Sequence, residues 1–288
     1  MSNKPHAQVF IVGAGPVGLL TALLLAMRGV SCTVIDSEPT LTKDMRAGTF
    51  HPPTLEMLAQ VGIADQMLAL GIRVPRWQSC DLTFGLVAEW DLNLLRNDTP
   101  YPYRLHLEQH RLTPILLEQL KKFAHVQVLF NHRFESLVQN QDDISVTVNT
   151  PEGLQTWRAS WLIGADGGRS QVRKSADIEF AGYTWLERYS VISTNFDFGR
   201  LGYTENAYIS DPDQWVAVFK MPDLGPPGIW RMTLPVNNEV TDEVALAGPY
   251  AQNAIRRLTH ESPKTDYKIV HQSIYNVHQR VAVQLRKH

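Results

Sequence analysis

Two glycine-rich stretches hold the residues whose types and spacing could do chemistry. Gly13-Ala-Gly-Pro-Val-Gly18 follows the apolar run Gln8 to Val12 and precedes the apolar stretch Leu19 to Arg28. Such a loop brings backbone amides and a helix start up to a phosphate. Gly13 permits the tight turn, Gly15 lets the backbone approach a pyrophosphate, and Gly18 lets the helix pack on the strand. Pro16 sits within the same loop. Asp36 ends a second apolar strand, Ser31 to Ile35, 18 residues after Gly18. An acid at that place accepts hydrogen bonds from an adenosine ribose. The order strand, glycine turn, helix, strand, acid predicts a dinucleotide site. It does not choose between NAD and FAD, and a glycine turn in an unrelated βαβ unit could be spelled the same way.

The second stretch is Gly164-Ala-Asp-Gly-Gly-Arg-Ser-Gln-Val-Arg-Lys174. Asp166 lies at the end of the apolar strand Trp161 to Ala165, with Gly167 and Gly168 after it. A carboxylate at the C-terminal end of a parallel strand faces the crevice where such sheets bind ligands. Ser170 either caps the next helix or bonds a phosphate. Arg169, Arg173 and Lys174 add positive charge, and Arg173 could equally be a solvated helix residue.

The elements that must position these loops differ from a plain NAD fold, which would alternate strands and helices throughout. Val126 to Phe130 reads as a strand. Phe134 to Gln139 and Ile144 to Val148 read as a hairpin, and Leu154 to Arg158 follows a Pro-Glu-Gly turn. A β-meander is thus spliced into the dinucleotide domain and returns to its sheet at the second motif. Beyond residue 181, Ser190 to Phe196, Trp215 to Lys220 and Ile229 to Leu234 alternate with turn clusters. They suit an antiparallel sheet over a pocket, where one or two of the many aromatic residues could meet a flat ring. The expected fold class is α/β, a Rossmann-like dinucleotide domain with an inserted β-meander plus an antiparallel-sheet domain.

These motifs, with the Met45-to-Gly62 segment, Leu107-Glu-Gln-His-Arg-Leu112 and Phe180 to Val191, resemble the FAD-dependent class A aromatic hydroxylases. These are the flavoprotein monooxygenases typified by para-hydroxybenzoate and hydroxyphenylpropionate hydroxylases, and the resemblance covers essentially the whole chain. It implies FAD as cofactor, NAD(P)H as co-substrate, and hydroxylation of a small phenolic ring with O2. It implies that Gly13, Gly15, Gly18 and Asp36 hold the ADP part of FAD. Arg46 matches an arginine that approaches the flavin pyrophosphate, and Gln109 matches a cofactor contact from a helix. Asp166 and Gly167 match a pair serving both FAD and the nicotinamide nucleotide, and Arg173 matches the basic end of that motif. From the residues alone, Arg46 could be a surface ion pair with Asp44. Gln109 could merely begin the helix that continues through Thr113 and Pro114, where threonine caps and proline fits the first turn. No side chain is identifiable as a catalytic base. The resemblance also leaves open an oxidoreductase acting on a non-aromatic or isoprenoid substrate, or a non-catalytic FAD-binding remnant.

Domain boundaries are expected at 1–74 and 104–180 for the FAD-binding part. The substrate sheet is expected at 75–103 and 181–275, with 276–288 returning to the first domain. Family members continue into a third motif beginning Gly-Asp, and no Gly-Asp follows Asp166 here. The expectation is a truncated chain that binds FAD poorly and hydroxylates little.

Composition narrows the classes. A chain of 288 residues with 44% hydrophobic and 19% charged residues is ordinary for a soluble globular protein. Net charge is -2 with no basic run, which gives no footprint for nucleic acid. Cys32 and Cys80 are the only cysteines, which suits a reducing cytoplasm rather than a disulfide framework. The uncharged stretch Val9 to Met27 is long enough for a membrane span, but its glycines and Pro16 divide it into strand and helix. His106, Glu108 and His110 hint at a metal. The zinc-protease order needs the glutamate directly after the first histidine, so no metal is expected. A monomer or homodimer without membrane partner is expected.

Overall fold

The computed structural model describes residues 6–43, 48–223, 228–260 and 266–287. Its first strands are β1 (His6–Val12), β2 (Cys32–Ile35), β3 (Thr49–Phe50), β4 (Ile72–Val74), β5 (Arg76–Asp81) and β6 (Gly85–Asp91). Next come β7 (Arg104–His106), β8 (Val126–Leu129), β9 (Arg133–Gln139), β10 (Ile144–Thr150) and β11 (Gly153–Gly164). The last are β12 (Phe180–Thr194), β13 (Asn206–Ser210), β14 (Val216–Met221), β15 (Ile229–Val236) and β16 (Ile269–Ala282). The α-helices are α1 (Pro16–Ala26), α2 (Pro52–Gln60), α3 (Ala64–Leu70), α4 (Gln109–Leu120), α5 (Gln171–Ser175), α6 (Asp242–Ala245) and α7 (Gly248–Thr259).

The chain groups into two units. One comprises residues 1–47, 109–181 and 281–288, the other 48–108 and 182–280. The boundaries expected from sequence differ, because 48–74 and 104–108 group with the second unit.

The first unit holds a six-stranded sheet in the order β8-β2-β1-β11-β10-β9. The first four strands are mutually parallel, and β10 and β9 extend them antiparallel. Strand β2 is buried at all four positions, as expected of a parallel strand covered on both faces. The sequence separates Leu154–Arg158 from Trp161–Ala165. The structure makes them one strand, β11, because Ala159 and Ser160 do not break it. Its first half pairs with β10 and its second half with β1, so it carries the meander directly into the parallel sheet. Phe10 meets Trp157 edge-on at 5.5 Å, within a core that includes Val12, Ile35, Phe134, Val146 and Val148.

The second unit holds a seven-stranded sheet ordered β16-β12-β15-β14-β13-β5-β6 and a small sheet ordered β3-β7-β4. The large sheet is mostly antiparallel, but β13 and β5 are parallel. On β15, Trp230, Met232, Leu234 and Val236 are buried at every second position, the period of one sheet face. Ala251, Ala254, Ile255 and Leu258 of α7 belong to the same core. Their spacing is that of a helix stripe facing inward. Burying each large side chain contributes roughly 1.5–3 kcal/mol.

Among the described residues, no helix is long and apolar enough to cross a membrane.

Candidate functional site

The two glycine loops meet at the C-terminal ends of β1 and β11. Gly13 N donates to Ile35 O at 2.8 Å, and Ala165 N donates to Val12 O at 2.8 Å. Gly13 has φ +107°, and a Cβ there would lie 2.4 Å from the Ala165 carbonyl oxygen. The second motif therefore excludes a side chain at Gly13. A Cβ on Gly18 would lie 1.9 Å from Gly13 O, so the close packing of α1 on the loop requires glycine there. A Cβ on Gly15 or on Gly167 would meet nothing within 4 Å, so both positions stand open.

A cavity of about 670 Å³ lies over this junction. Gly13, Gly15, Pro16, Asp36, Gln109, Asp166 and Gly167 all line it, so sequence positions from 13 to 167 come together. Gly15 is the N-cap of α1, no side chain caps that helix, and its first turn has no acid. Its leading amides and dipole are left for an anion.

Asp36 holds the loop as well as facing the cavity. One oxygen accepts from Ala14 N at 2.7 Å and the other from Glu38 N at 2.9 Å. Each carboxylate oxygen keeps a second lone pair, enough for a ribose hydroxyl. Asp166 is more fully occupied. It accepts from Ser170 Oγ at 2.5 Å, Gln171 N at 2.6 Å and Val172 N at 3.2 Å. Ser170 Oγ in turn accepts from Arg173 N at 3.0 Å, which settles Ser170 as a helix cap. Asp166 thus secures the start of α5 from the cavity wall.

Two expected site residues, Gly18 and Arg173, do not line the cavity. Gly18 lies behind the loop. Arg173 does not line the cavity: its Nη1 donates to Ile178 O at 2.9 Å, and its guanidinium lies 4.7 Å from the Phe180 ring centre. Phe180 and the carbonyl of residue 178 draw it away. Arg46, with Asp44, lies outside the described residues. Helix α4 starts at Gln109, with Pro114 inside it. Pro114 has no N–H to give the His110 carbonyl, and Thr113 Oγ1 supplies a long bond of 3.5 Å to that oxygen.

Arg169, Gln171, Thr40, Thr42 and His132 also line the cavity but were not among the expected contacts. The signal available for them is topological, since loops after β2, β8 and β11 all leave the carboxyl ends of the parallel strands. Among the described residues, no group of three His, Cys, Asp or Glu could hold a metal ion. Both cysteines are free and buried, and burial pushes the Cys32 thiol up to about 11.

The residues present fit the ADP end of FAD: an open glycine cradle, an uncapped helix start and an acid with spare lone pairs share one cavity. A parallel sheet carrying this loop, joined to an antiparallel second sheet, defines a dinucleotide-binding α/β protein. The FAD binding domain family matches residues 6–288, and the chain belongs to it. A para-nitrophenol 4-monooxygenase from Pseudomonas sp. (strain WBC-3) is 34% identical over 283 residues, covering 97% of this chain and 68% of the relative. The 6-hydroxy-3-succinoylpyridine 3-monooxygenase HspB of Pseudomonas putida (strain DSM 28022 / S16) is 33% identical over 287 residues, covering 99% and 71%. The crystal structure of p-nitrophenol 4-monooxygenase PnpA from Pseudomonas putida DLL-E4 superposes with a TM-score of 0.90 at 31% identity, covering 98% of this chain and 70% of that one.

Proposed function

We infer that this chain is an FAD-dependent monooxygenase that hydroxylates a small phenolic ring, consuming NAD(P)H and O2 and releasing NAD(P)+ and water. The observation that carries this reading is the cavity where both glycine loops meet over the uncapped start of α1. The names of the relatives, a nitrophenol and a hydroxypyridine monooxygenase, support the substrate class.

When bound, FAD would supply electron transfer from NAD(P)H and activation of O2. The chain's own residues do the holding. The backbone amides of Gly15 and Val17 would take the pyrophosphate, and Asp36 would accept from the ribose hydroxyls. Gln109 and Gly167 would border the cofactor, with Arg169 adding positive charge beside them. Asp166 keeps α5 in place while presenting its backbone to the cavity. The first unit would be the cofactor unit and the second the substrate unit, in a cytoplasmic monomer or homodimer.

The test is product analysis with labelled oxygen. The chain, FAD, NAD(P)H and 4-nitrophenol are incubated under 18O2. Faster NAD(P)H consumption with the phenol, and 18O in the ring product, are expected. NAD(P)H oxidation without label in any product would replace this reading with a reductase. No flavin-dependent turnover would favour a non-catalytic FAD binder.

A further inference from the structure

Within the second unit, the chain from Arg104 to Glu108 crosses one face of the seven-stranded sheet. The Arg104 guanidinium lies 5.1 Å from the Trp77 ring centre. The His106 ring lies 6.0 Å from that of Phe219. Glu108 Oε1 accepts from Arg231 Nη2 at 2.5 Å. These three partners stand in one row. Ser193, Arg231, Phe219 and Asn206 are directly opposite one another on successive strands. The pairing of Ala207 with Gln78 sets Trp77 next in line. This row lies on the face away from α7, because Trp230, Met232 and Val218 alternate with it into the α7 core.

The layer between row and crossing segment is buried yet polar. His106, Ser193 and Asn206 are fully buried and Glu108 is 6% exposed. Among the described residues, His106 Nε2, Glu108 Oε2, Ser193 Oγ and both amide atoms of Asn206 have no hydrogen-bond partner. Protein interiors seldom leave polar atoms unmet, and a group of them calls for a ligand or a role. His106 Nδ1 lies 2.9 Å from the Lys220 carbonyl oxygen, so Nδ1 carries the proton and donates it. Nε2 is left as a bare acceptor. Burial, the leading cause, lowers the His106 pKa to about 4, so the ring is neutral near neutral pH and accepts hydrogen bonds without taking up a proton.

We propose that this layer holds the hydroxyl group of the substrate ring, with His106 Nε2 accepting its hydrogen bond and Asn206 meeting a second polar substituent. This rests on the reading of the substrate as a phenol. Tyr208 is 38% exposed and meets Phe219 edge-on at 6.1 Å, which gives the row an approach from solvent. His106 is fully buried against Phe219, so a ring reaching Nε2 would have to displace Phe219. His106 is a binding residue here and not the catalytic base.

The test is equilibrium binding without NAD(P)H, so it does not depend on turnover. Quenching of tryptophan fluorescence is titrated with 4-nitrophenol, kept un-ionised, and with its methyl ether, 4-nitroanisole, which has no donor. The wild-type chain is expected to bind the phenol roughly 3–10-fold more tightly, the worth of one hydrogen bond. His106→Phe should bring that ratio to about one, and His106→Gln, which keeps an acceptor, should restore part of it. Should the Phe variant not fold, His106→Asn, whose amide is too short to reach, is expected to give the same ratio of about one. Equal binding of both probes by the wild type, binding of neither, or an unchanged ratio in the variants would overturn the proposal. Label from 18O2 in a ring product alongside such a result would leave the hydroxylase reading standing and remove only this site.

Discussion

At the scale of single residues, the same side-chain type serves opposite ends. Asp36 and Asp166 both follow parallel strands, yet Asp36 retains capacity for a ribose while Asp166 is taken up by the start of α5. Arg173 carries the charge expected of a cofactor contact but is spent on Ile178 O and the Phe180 ring. Arg173→Met should therefore lower stability by about 1–2 kcal/mol in chemical unfolding while leaving FAD affinity unchanged. A large loss of FAD affinity with stability intact would return Arg173 to the cofactor. His106 makes a second residue-scale prediction. Its pKa falls from 6.5 in the unfolded chain to about 4 in the folded one, chiefly through burial. Between those values the unfolded chain binds more protons, so stability is complete above about pH 6.5 and falls as the pH drops towards about 4. The loss reaches about 3 kcal/mol. His106→Gln should flatten that part of the stability profile, and an unchanged slope would contradict the assignment.

At the scale of elements, much was legible in sequence and the remainder has physical causes. The glycine turn, its helix and Asp36 were readable because each step is local and has its own residue signature. The meander was readable from alternation and its Pro-Glu-Gly turn. The unity of β11 was not, because a strand that changes partners at Ala159 changes its burial pattern there too. Pro114 lies inside α4 rather than in its first turn, and Thr113 meets the carbonyl that proline leaves unbonded. The Glu108–Arg231 pair joins residues 123 apart and no local pattern announces it. Helix α5 has only five residues, and its start hangs on Asp166 and Ser170. Asp166→Ala should cost roughly 1–3 kcal/mol in unfolding experiments without any FAD present. A variant as stable as the wild type would show that the carboxylate is kept for the ligand alone.

At the scale of the whole molecule, one unit carries a crevice at the carboxyl ends of β1 and β11, and the other carries a sheet with an apolar face and a polar, aromatic face. The first has the chemistry of a dinucleotide site. The FAD binding domain match runs through both units. The central claim is that FAD occupies the cavity between the two glycine loops. The measurement that tests it most directly is a calorimetric titration of the chain with FAD, repeated with excess ADP and with Asp36→Ala. One FAD per chain, competition by ADP, and at least about tenfold weaker binding in the variant are predicted. Binding that ADP does not compete for, or that Asp36→Ala leaves untouched, would contradict it.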